Sequence, residues 1–183
     1  MGTMKTLNPS PFLGVLSALL LSFSSHCSLA GSGSASDAVA VALPVFAAGM
    51  SLYHDDREGF WQLVKSEAAT LAVTEVLKVT VRETRPNGQD NRSFPSRHAS
   101  VAFSAAHFLQ ARGGWQYGVP AYLAATAVAA DRVHLREHHA KDVVAGALVG
   151  IASSYYFTDK AYRVNVGYLP SERSVLAELA MKW

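Results

Sequence analysis

The feature that most constrains the fold is a series of apolar, helix-patterned stretches separated by short breaks. In residues 56–81 the apolar side chains recur at about every 3.6 positions, which predicts a helix with one buried face. Comparable stretches cover residues 38–52, 96–111, 117–131 and 138–157. The breaks between them include Arg85-Pro86-Asn87-Gly88 and Gly113-Gly114, which favour turns. We therefore expect an all-α helical bundle of about five core helices.

The ends and charges of these stretches refine the expectation. Asp37 precedes the first stretch and is predicted to be its N-cap, and His54-Asp55-Asp56 is predicted to end it. Charged residues interrupt the second helix, so it should not lie in lipid. The last two helices are apolar, but their uncharged runs are short for a bilayer, which favours buried core helices.

The N-terminus is typical of a signal peptide. Lys5 is followed by an apolar run over residues 12–23 and by small residues before Gly31. We predict a signal peptide over residues 1–30 and export to the periplasm or cell envelope, with an uncleaved anchor helix as the alternative. The single cysteine, Cys27, lies in this segment, so an intrachain disulfide is excluded.

The remainder divides into a flexible Gly/Ser-rich leader, a helical domain and a C-terminal extension, at residues 31–36, 37–160 and 161–183. The extension alternates polar and apolar residues over 162–169, which is compatible with a small β-hairpin. An ordinary extension that packs on the helices is the favoured interpretation of this segment.

Charge is sparse and clustered. The formal net charge is only +2, and there is no run of five basic residues, so a nucleic-acid partner is not expected. The first cluster contains Lys78 and Arg85, which are seven residues apart and are expected to share one helix face. Alone, two cations on one face indicate solvated surface.

The second cluster, Pro95-Ser96-Arg97-His98, begins a helix with Ser96 as the expected N-cap. Free N–H groups and the positive end of the helix dipole suit a phosphate there, although Ser96 could act as a cap alone.

The third cluster contains Arg132, His138 and Asp142. His138 and Asp142 are four apart at a predicted helix start, so they can face each other. A carboxylate bonded to one ring nitrogen fixes the tautomer and makes the other nitrogen more nucleophilic. The neighbouring charged residues are interpreted as surface or structural groups: His134, Arg136, His139 and Lys141.

Together the three clusters resemble the phosphatidic acid phosphatase type 2 superfamily, which also includes the vanadium haloperoxidases. That family has three motifs in order along the chain. In the first, six residues separate Lys from Arg-Pro, and the second is Pro-Ser-Gly-His. In the third, Ser-Arg is followed after five residues by His, and that His after three residues by Asp. The chain matches these patterns over residues 71–156, with two departures: Arg97 stands where the family usually has Gly, and Asp131 where it usually has Ser.

The resemblance implies a role for each matched residue. His138 would attack phosphorus and form a phosphohistidine, and Asp142 would orient it. His98 would protonate the leaving oxygen and then activate water. The expected phosphate-binding residues are Lys78, Arg85, Ser96, Arg97 and Arg132. No metal or other cofactor is expected, because fixed cations would neutralise the phosphate.

The departures bear on the substrate. Arg97 keeps the backbone N–H of the usual glycine, and its added cation could narrow the substrate range or hold a second phosphate. Asp131 could orient Arg132 or weaken anion binding. The implied substrate is a phosphate ester or diphosphate, either lipid-linked or soluble, and association with a membrane surface is compatible with the apolar helices.

Three alternatives stay open. His134-Leu-Arg-Glu137-His138 spells the inverted zinc-protease motif H-x-x-E-H, with Glu172 or Glu178 as a further ligand. The same phosphate cradle could instead hold vanadate in a haloperoxidase. A non-catalytic envelope protein that binds lipid or a partner is the third.

Overall fold

The structure, a computed structural model, describes residues 35–169 and 174–181, with side chains described up to residue 161. The predicted signal peptide, Cys27 and residues 31–34 of the predicted leader lie outside this part. The described residues form five helices and two strands: α1 (Ala35–Tyr53), α2 (Arg57–Val81), α3 (Arg97–Gly113), α4 (Trp115–His134), α5 (Ala140–Phe157), β1 (Tyr162–Leu169) and β2 (Ser174–Met181). The predicted all-α fold class is confirmed.

Helix α3 is the centre of the bundle. Thirteen of its 17 residues are buried, whereas the other helices bury one face each. Small alanines and Phe108 on α3 pack against apolar residues of α1, α2 and α4. This core contains Ala40, Leu43, Ala47, Met50, Leu63, Ala102, Ala105, Ala106, Phe108, Leu109, Ala121, Ala125 and Val128. Because α3 begins at Arg97, the core also anchors the second charged cluster of the sequence.

Two glycines bring α5 against the backbone of α3. A Cβ placed on Gly150 would lie 2.1 Å from the Ser100 carbonyl oxygen, and one on Gly146 would lie 2.5 Å from the Ser96 carbonyl oxygen. Neither glycine could be replaced without moving one of the helices. The α3–α5 distance, and hence the position of the α5 N-terminus, depends on this close approach.

Local capping explains the helix starts. The Asp56 side chain accepts a hydrogen bond from the Gly59 N–H at 2.9 Å, so Asp56 is the N-cap of α2. Ser96 is the N-cap of α3, as predicted, and accepts from the Ala99 N–H. The prediction for Asp37 was wrong: α1 already begins at Ala35, inside the predicted leader, and Asp37 lies in its first turn.

The apolar character of the chain is also visible on its surface. By length and composition α1 is the one helix among the described residues that could cross a membrane. Trp61, Trp115, Leu123, Leu148 and Tyr156 are each at least 60% exposed, so α2, α4 and α5 also present large apolar side chains outward.

The C-terminal extension forms a β-hairpin, with which the alternation was compatible, in place of the ordinary extension favoured from the sequence. Strands β1 and β2 pair antiparallel, with Tyr162 opposite Met181 and Leu169 opposite Ser174. Just before the hairpin, the Ala161 N–H donates to the Ala111 carbonyl at 3.1 Å and connects the chain to the end of α3.

Candidate active site

A pocket of about 190 Å³ lies where α2 ends and α3 begins. Its lining is almost entirely charged: Glu75, Lys78, Arg85, Asp90, Arg92, Arg97, His98 and His138. These residues come from all three clusters of the sequence. The pocket therefore brings together five of the eight predicted site residues, and Ser96, Arg132 and Asp142 lie outside its lining.

Lys78 is the cation on the last turn of α2. It is only 5% exposed, and its Nζ donates to the Arg92 carbonyl oxygen at 2.7 Å. Burial is the main cause that lowers its pKa to about 8, and the nearby cation of Arg85 lowers it further. Lys78 is thus a charged group near neutral pH that loses its charge in mildly alkaline solution.

Arg85 reaches the pocket by a different route from the one predicted. Helix α2 ends at Val81, and Arg82 adopts the left-handed conformation with φ 48°, so Arg85 lies in a loop and shares no helix face with Lys78. The loop folds back instead: the Arg85 N–H donates to the Asp90 carbonyl at 2.9 Å, and Arg85 Nε lies 2.8 Å from Asp90 Oδ1. The two cations converge because the loop returns.

The N-terminus of α3 presents Arg97 and His98 to the pocket. Ser96 itself is fully buried, with its N–H donating to the Asp142 carbonyl at 2.9 Å and its hydroxyl used as the cap. Ser96 is therefore outside the pocket lining, and its contact with phosphate stays a prediction. Ser96 joins the start of α3 to the start of α5.

Arg132 is buried and surrounded by carboxylates. Its Nη1 lies 2.7 Å from Glu137 Oε2 and 3.0 Å from Asp37 Oδ1, and its Nη2 lies 3.7 Å from Asp131 Oδ2. Asp131, the departure from the family pattern, therefore does stand beside Arg132. Arg85 Nη1 also lies 3.9 Å from Glu137 Oε2, so two arginines converge on one carboxylate.

His138 and Asp142 are both buried, but they are not hydrogen-bonded. His138 precedes α5 rather than lying on it, and its Nδ1 is 3.7 Å from Asp142 Oδ2, longer than a hydrogen bond. The same carboxylate oxygen instead accepts from the Ser93 hydroxyl at 2.5 Å and from the His139 N–H at 2.8 Å. Asp142 is thus held in place beside the imidazole.

The protonation of this pair follows from its surroundings. Burial, followed by the positive charges of Arg85 and Lys78, lowers the pKa of His138 well below its usual value, while Asp142 opposes the shift. Burial alone would raise the pKa of Asp142, but the hydrogen bonds from Ser93 and His139 bring it below the ordinary value. At neutral pH the pair is a neutral imidazole beside a carboxylate.

His98 shares the Asp37 carboxylate with Arg132. Its Nε2 lies 2.9 Å from Asp37 Oδ1, which comes from the first turn of α1. Burial and the charge of Arg132 lower the pKa of His98, and Asp37 raises it in opposition. The sequence did not indicate this pairing, because nothing local connects the start of α1 with the start of α3.

Four further residues at the site were missed. Ser93 orients Asp142, and the pocket is also lined by Glu75, Asp90 and Arg92. A signal existed for Glu75 and Arg92: Glu75 is three residues before Lys78 in the helix, and Arg92 is in the polar loop that precedes Pro95. Neither could be placed without the fold of that loop.

The zinc-protease alternative loses its geometric basis. Helix α4 ends at His134, which is exposed, so His134 and His138 are not on one helical face. Among the described residues, the group that could hold a metal consists of Glu83, His139 and Asp142. Those residues already pair with one another or with Lys141, whose Nζ lies 2.6 Å from Glu83.

Curated relatives of the chain are lipid A phosphatases. It is 30% identical over 129 residues to the lipid A 4'-phosphatase of Helicobacter pylori, covering 64% of this chain and 65% of that protein. It is 34% identical over 91 residues to the lipid A 1-phosphatase of Porphyromonas gingivalis, covering 46% of this chain and 20% of that one. The chain thus spans less than two thirds of the length of either relative.

Solved structures share the fold. LpxE of Aquifex aeolicus superposes with a TM-score of 0.55 at 19% identity, over 82% of this chain and 87% of that one. The transmembrane PAP2-type phosphatidylglycerolphosphate phosphatase of Bacillus subtilis gives 0.53 at 20% identity, over 82% and 77%. The sequence profile of the PAP2 superfamily matches residues 59–165, which is more than half of the 183-residue chain and confirms the resemblance seen in the three clusters. The chain belongs to the PAP2 superfamily.

Proposed function

We propose that the chain is a phosphatase that hydrolyses phosphate esters or diphosphates through a phosphohistidine on His138. The observation that carries the proposal is the pocket itself, in which Lys78, Arg85, His98 and His138 meet from three separate segments of the chain. Two cations beside a neutral imidazole are what an attack on a phosphate dianion requires, because the cations offset the charge that repels a nucleophile.

The first step transfers the phosphoryl group to the protein. His138, neutral at pH 7, attacks phosphorus with one ring nitrogen, the bond between phosphorus and the leaving oxygen breaks, and His98 in its protonated form gives that oxygen a proton. Asp142 stabilises the imidazolium that forms, since its carboxylate lies 3.7 Å from Nδ1. Lys78 and Arg85 bind the equatorial oxygens.

The second step releases inorganic phosphate. His98 now takes a proton from water, the water oxygen attacks phosphorus, and the P–N bond to His138 breaks. Arg132 would assist both steps if the substrate displaces Glu137 from it, because a phosphate dianion competes for the same guanidinium. The Ser96 N–H also donates to the Asp142 carbonyl at 2.9 Å, so these two residues join α3 to α5 in addition to the role of Asp142 beside His138.

A lipid-linked substrate is the form that the surroundings favour. Both curated relatives are lipid A phosphatases by name, and large apolar side chains are exposed on several helices of this chain. Because α1 is long and apolar enough to cross a membrane, the proposal includes export and association with the membrane of the cell envelope. The predicted residue ranges of the domain and its signal peptide are part of the same proposal.

The test compares His138→Ala with His134→Ala on a panel of phosphate esters. His134 is an exposed histidine at the end of α4 and serves as the matched control. We expect His138→Ala to lose about a thousandfold or more in kcat, as loss of a nucleophile does elsewhere, and His134→Ala to keep wild-type activity. Quenching the wild type in alkaline detergent during turnover should trap phosphate on His138, because the P–N bond of phosphohistidine is stable in alkali and breaks in acid. Wild-type turnover by His138→Ala would refute the mechanism.

A further inference from the structure

The pocket contains two cationic side chains beyond the two that the proposed mechanism uses. Besides Lys78 and Arg85, it is lined by Arg92 and Arg97, whose side chains are 51% and 58% exposed. Lys78 and His138, by contrast, are almost completely buried. The pocket therefore has a buried part, where the proposed chemistry takes place, and a more exposed part with a second pair of cations.

Glu75 lies between the cations of the exposed part. Its Oε2 is 2.5 Å from Arg92 Nη2, and its Oε1 is 3.8 Å from Arg97 Nη1. Two guanidinium groups that reach the two oxygens of one carboxylate can also reach two oxygens of one phosphate, which has similar O–O spacing and more charge. Glu75 thus occupies the position in which an anion would be bound.

The exposed part is physically connected to the proposed phosphate cradle. The Arg92 carbonyl accepts the hydrogen bond from Lys78 Nζ at 2.7 Å, so the backbone that carries Arg92 also positions the cradle lysine. The charges of Arg92 and Arg97 both lower the pKa of Lys78, and Glu75 raises it, after the dominant effect of burial. An anion between the two arginines would lie within electrostatic range of the reacting phosphate.

We propose that Arg92, Arg97 and Glu75 form a second anion subsite, which binds the non-reacting phosphate of a diphosphate ester. This inference rests on the proposed phosphatase activity and narrows its substrate class. The terminal phosphorus would bind at Lys78 and Arg85, His138 would attack it, and the phosphoanhydride bond would break, so that a phosphate monoester leaves. The negative charge of that leaving group is neutralised by the two arginines, with Glu75 displaced.

The experiment measures kcat/KM for an alkyl diphosphate and for the alkyl monophosphate of the same chain length. Arg92→Ala and Arg97→Gly are compared with Arg57→Gly, an exposed arginine at the first position of α2, as Arg97 is at the first position of α3. We expect each subsite variant to lose about tenfold more on the diphosphate than on the monophosphate, the size of one charged hydrogen bond. Arg57→Gly should leave both values unchanged.

A second readout measures inhibition of monophosphate hydrolysis and does not depend on hydrolysis of a diphosphate ester. Inorganic pyrophosphate should inhibit the wild type more strongly than inorganic phosphate does, and Arg97→Gly should reduce that preference. Glu75→Gln should strengthen inhibition by pyrophosphate, because the competing carboxylate charge is gone.

The outcomes separate the subsite from the phosphatase activity. Equal losses on both substrates, or no loss on either, would overturn the subsite while leaving a His138-dependent phosphatase in place. No His138-dependent hydrolysis of either ester by the wild type would overturn both.

Discussion

Replacing Gly150 with alanine should separate two helices that the active site needs close together. The new Cβ would lie 2.1 Å from the Ser100 carbonyl oxygen and 2.8 Å from the Ser104 nitrogen, both backbone atoms of α3. The nearest distance is about 1.3 Å short of the 3.4 Å at which ordinary contact begins. Because backbone cannot rotate away as a side chain can, α5 must move outward.

The magnitude follows from this clash. Overpacking costs about 3 kcal/mol at the upper end of its usual range, and alanine in a helix recovers about 1 kcal/mol relative to glycine. The expected net destabilisation is about 2 kcal/mol, or about 4–8 °C in Tm for a chain of this size. Movement of α5 also displaces Asp142 from Ser96, and a misplacement of about 1 Å at a catalytic centre can cost about a hundredfold in rate.

The assay is thermal unfolding of the full chain, followed by kcat/KM at a temperature at which every variant is folded. Gly49→Ala is the matched control, since Gly49 lies inside α1 and a Cβ added there would meet no atom within 4 Å. It should gain up to about 1 kcal/mol and keep full activity. If Gly150→Ala were as stable and active as Gly49→Ala, the described packing of α3 on α5 would be wrong.

Three further changes test the charges around the pocket. Because the pKa of Lys78 is lowered to about 8, its cation is lost above that pH and kcat/KM should fall there. Lys78→Arg should move this alkaline limb of the pH–rate profile to higher pH, and a limb that does not move would exclude Lys78 as its origin. Asp37→Asn removes the charge that raises the pKa of His98, so the limb of the pH–rate profile that reports His98 should shift to lower pH. An unchanged profile would show that the 2.9 Å contact between His98 Nε2 and Asp37 Oδ1 plays no part in catalysis. Asp56→Asn leaves the buried Arg112 without its charge partner, which lies 2.5 Å away, and should lower the free energy of unfolding in urea by about 3–5 kcal/mol. A decrease under about 1 kcal/mol would indicate a solvated ion pair.

Helix positions were predictable because their causes are local. Asp56 and Ser96 bond to N–H groups three residues away, and such contacts are encoded within one turn. The convergence of Lys78, Arg85, His98 and His138 on one pocket was also predictable, since their spacing resembles a known pattern. The path of the chain between the motifs was not predicted correctly. The predicted face shared by Lys78 and Arg85 assumed a continuous helix, which Arg82 ends.

Contacts between distant segments could not be predicted from the sequence, for a different reason. Asp37 was interpreted as a cap because its neighbours in the chain allow it, whereas its actual partners, His98 and Arg132, come from α3 and α4. Glu75 likewise looked like one more polar interruption of α2. A charged side chain signals that it needs a partner, but the identity of that partner depends on how the helices pack.

Asp142 also connects three segments of the fold. Its carbonyl accepts from the Ser96 N–H, and its carboxylate accepts from Ser93 and His139, so one residue connects the loop after α2, the start of α3 and the start of α5. Since these segments converge only in the native state, phosphate or vanadate should bind the folded chain and not the unfolded one. Such an anion acts as a folding ligand: at a hundred times its Kd it would add about 2.7 kcal/mol to the free energy of unfolding. Inorganic phosphate, the product of the proposed reaction, would then protect the chain from denaturation.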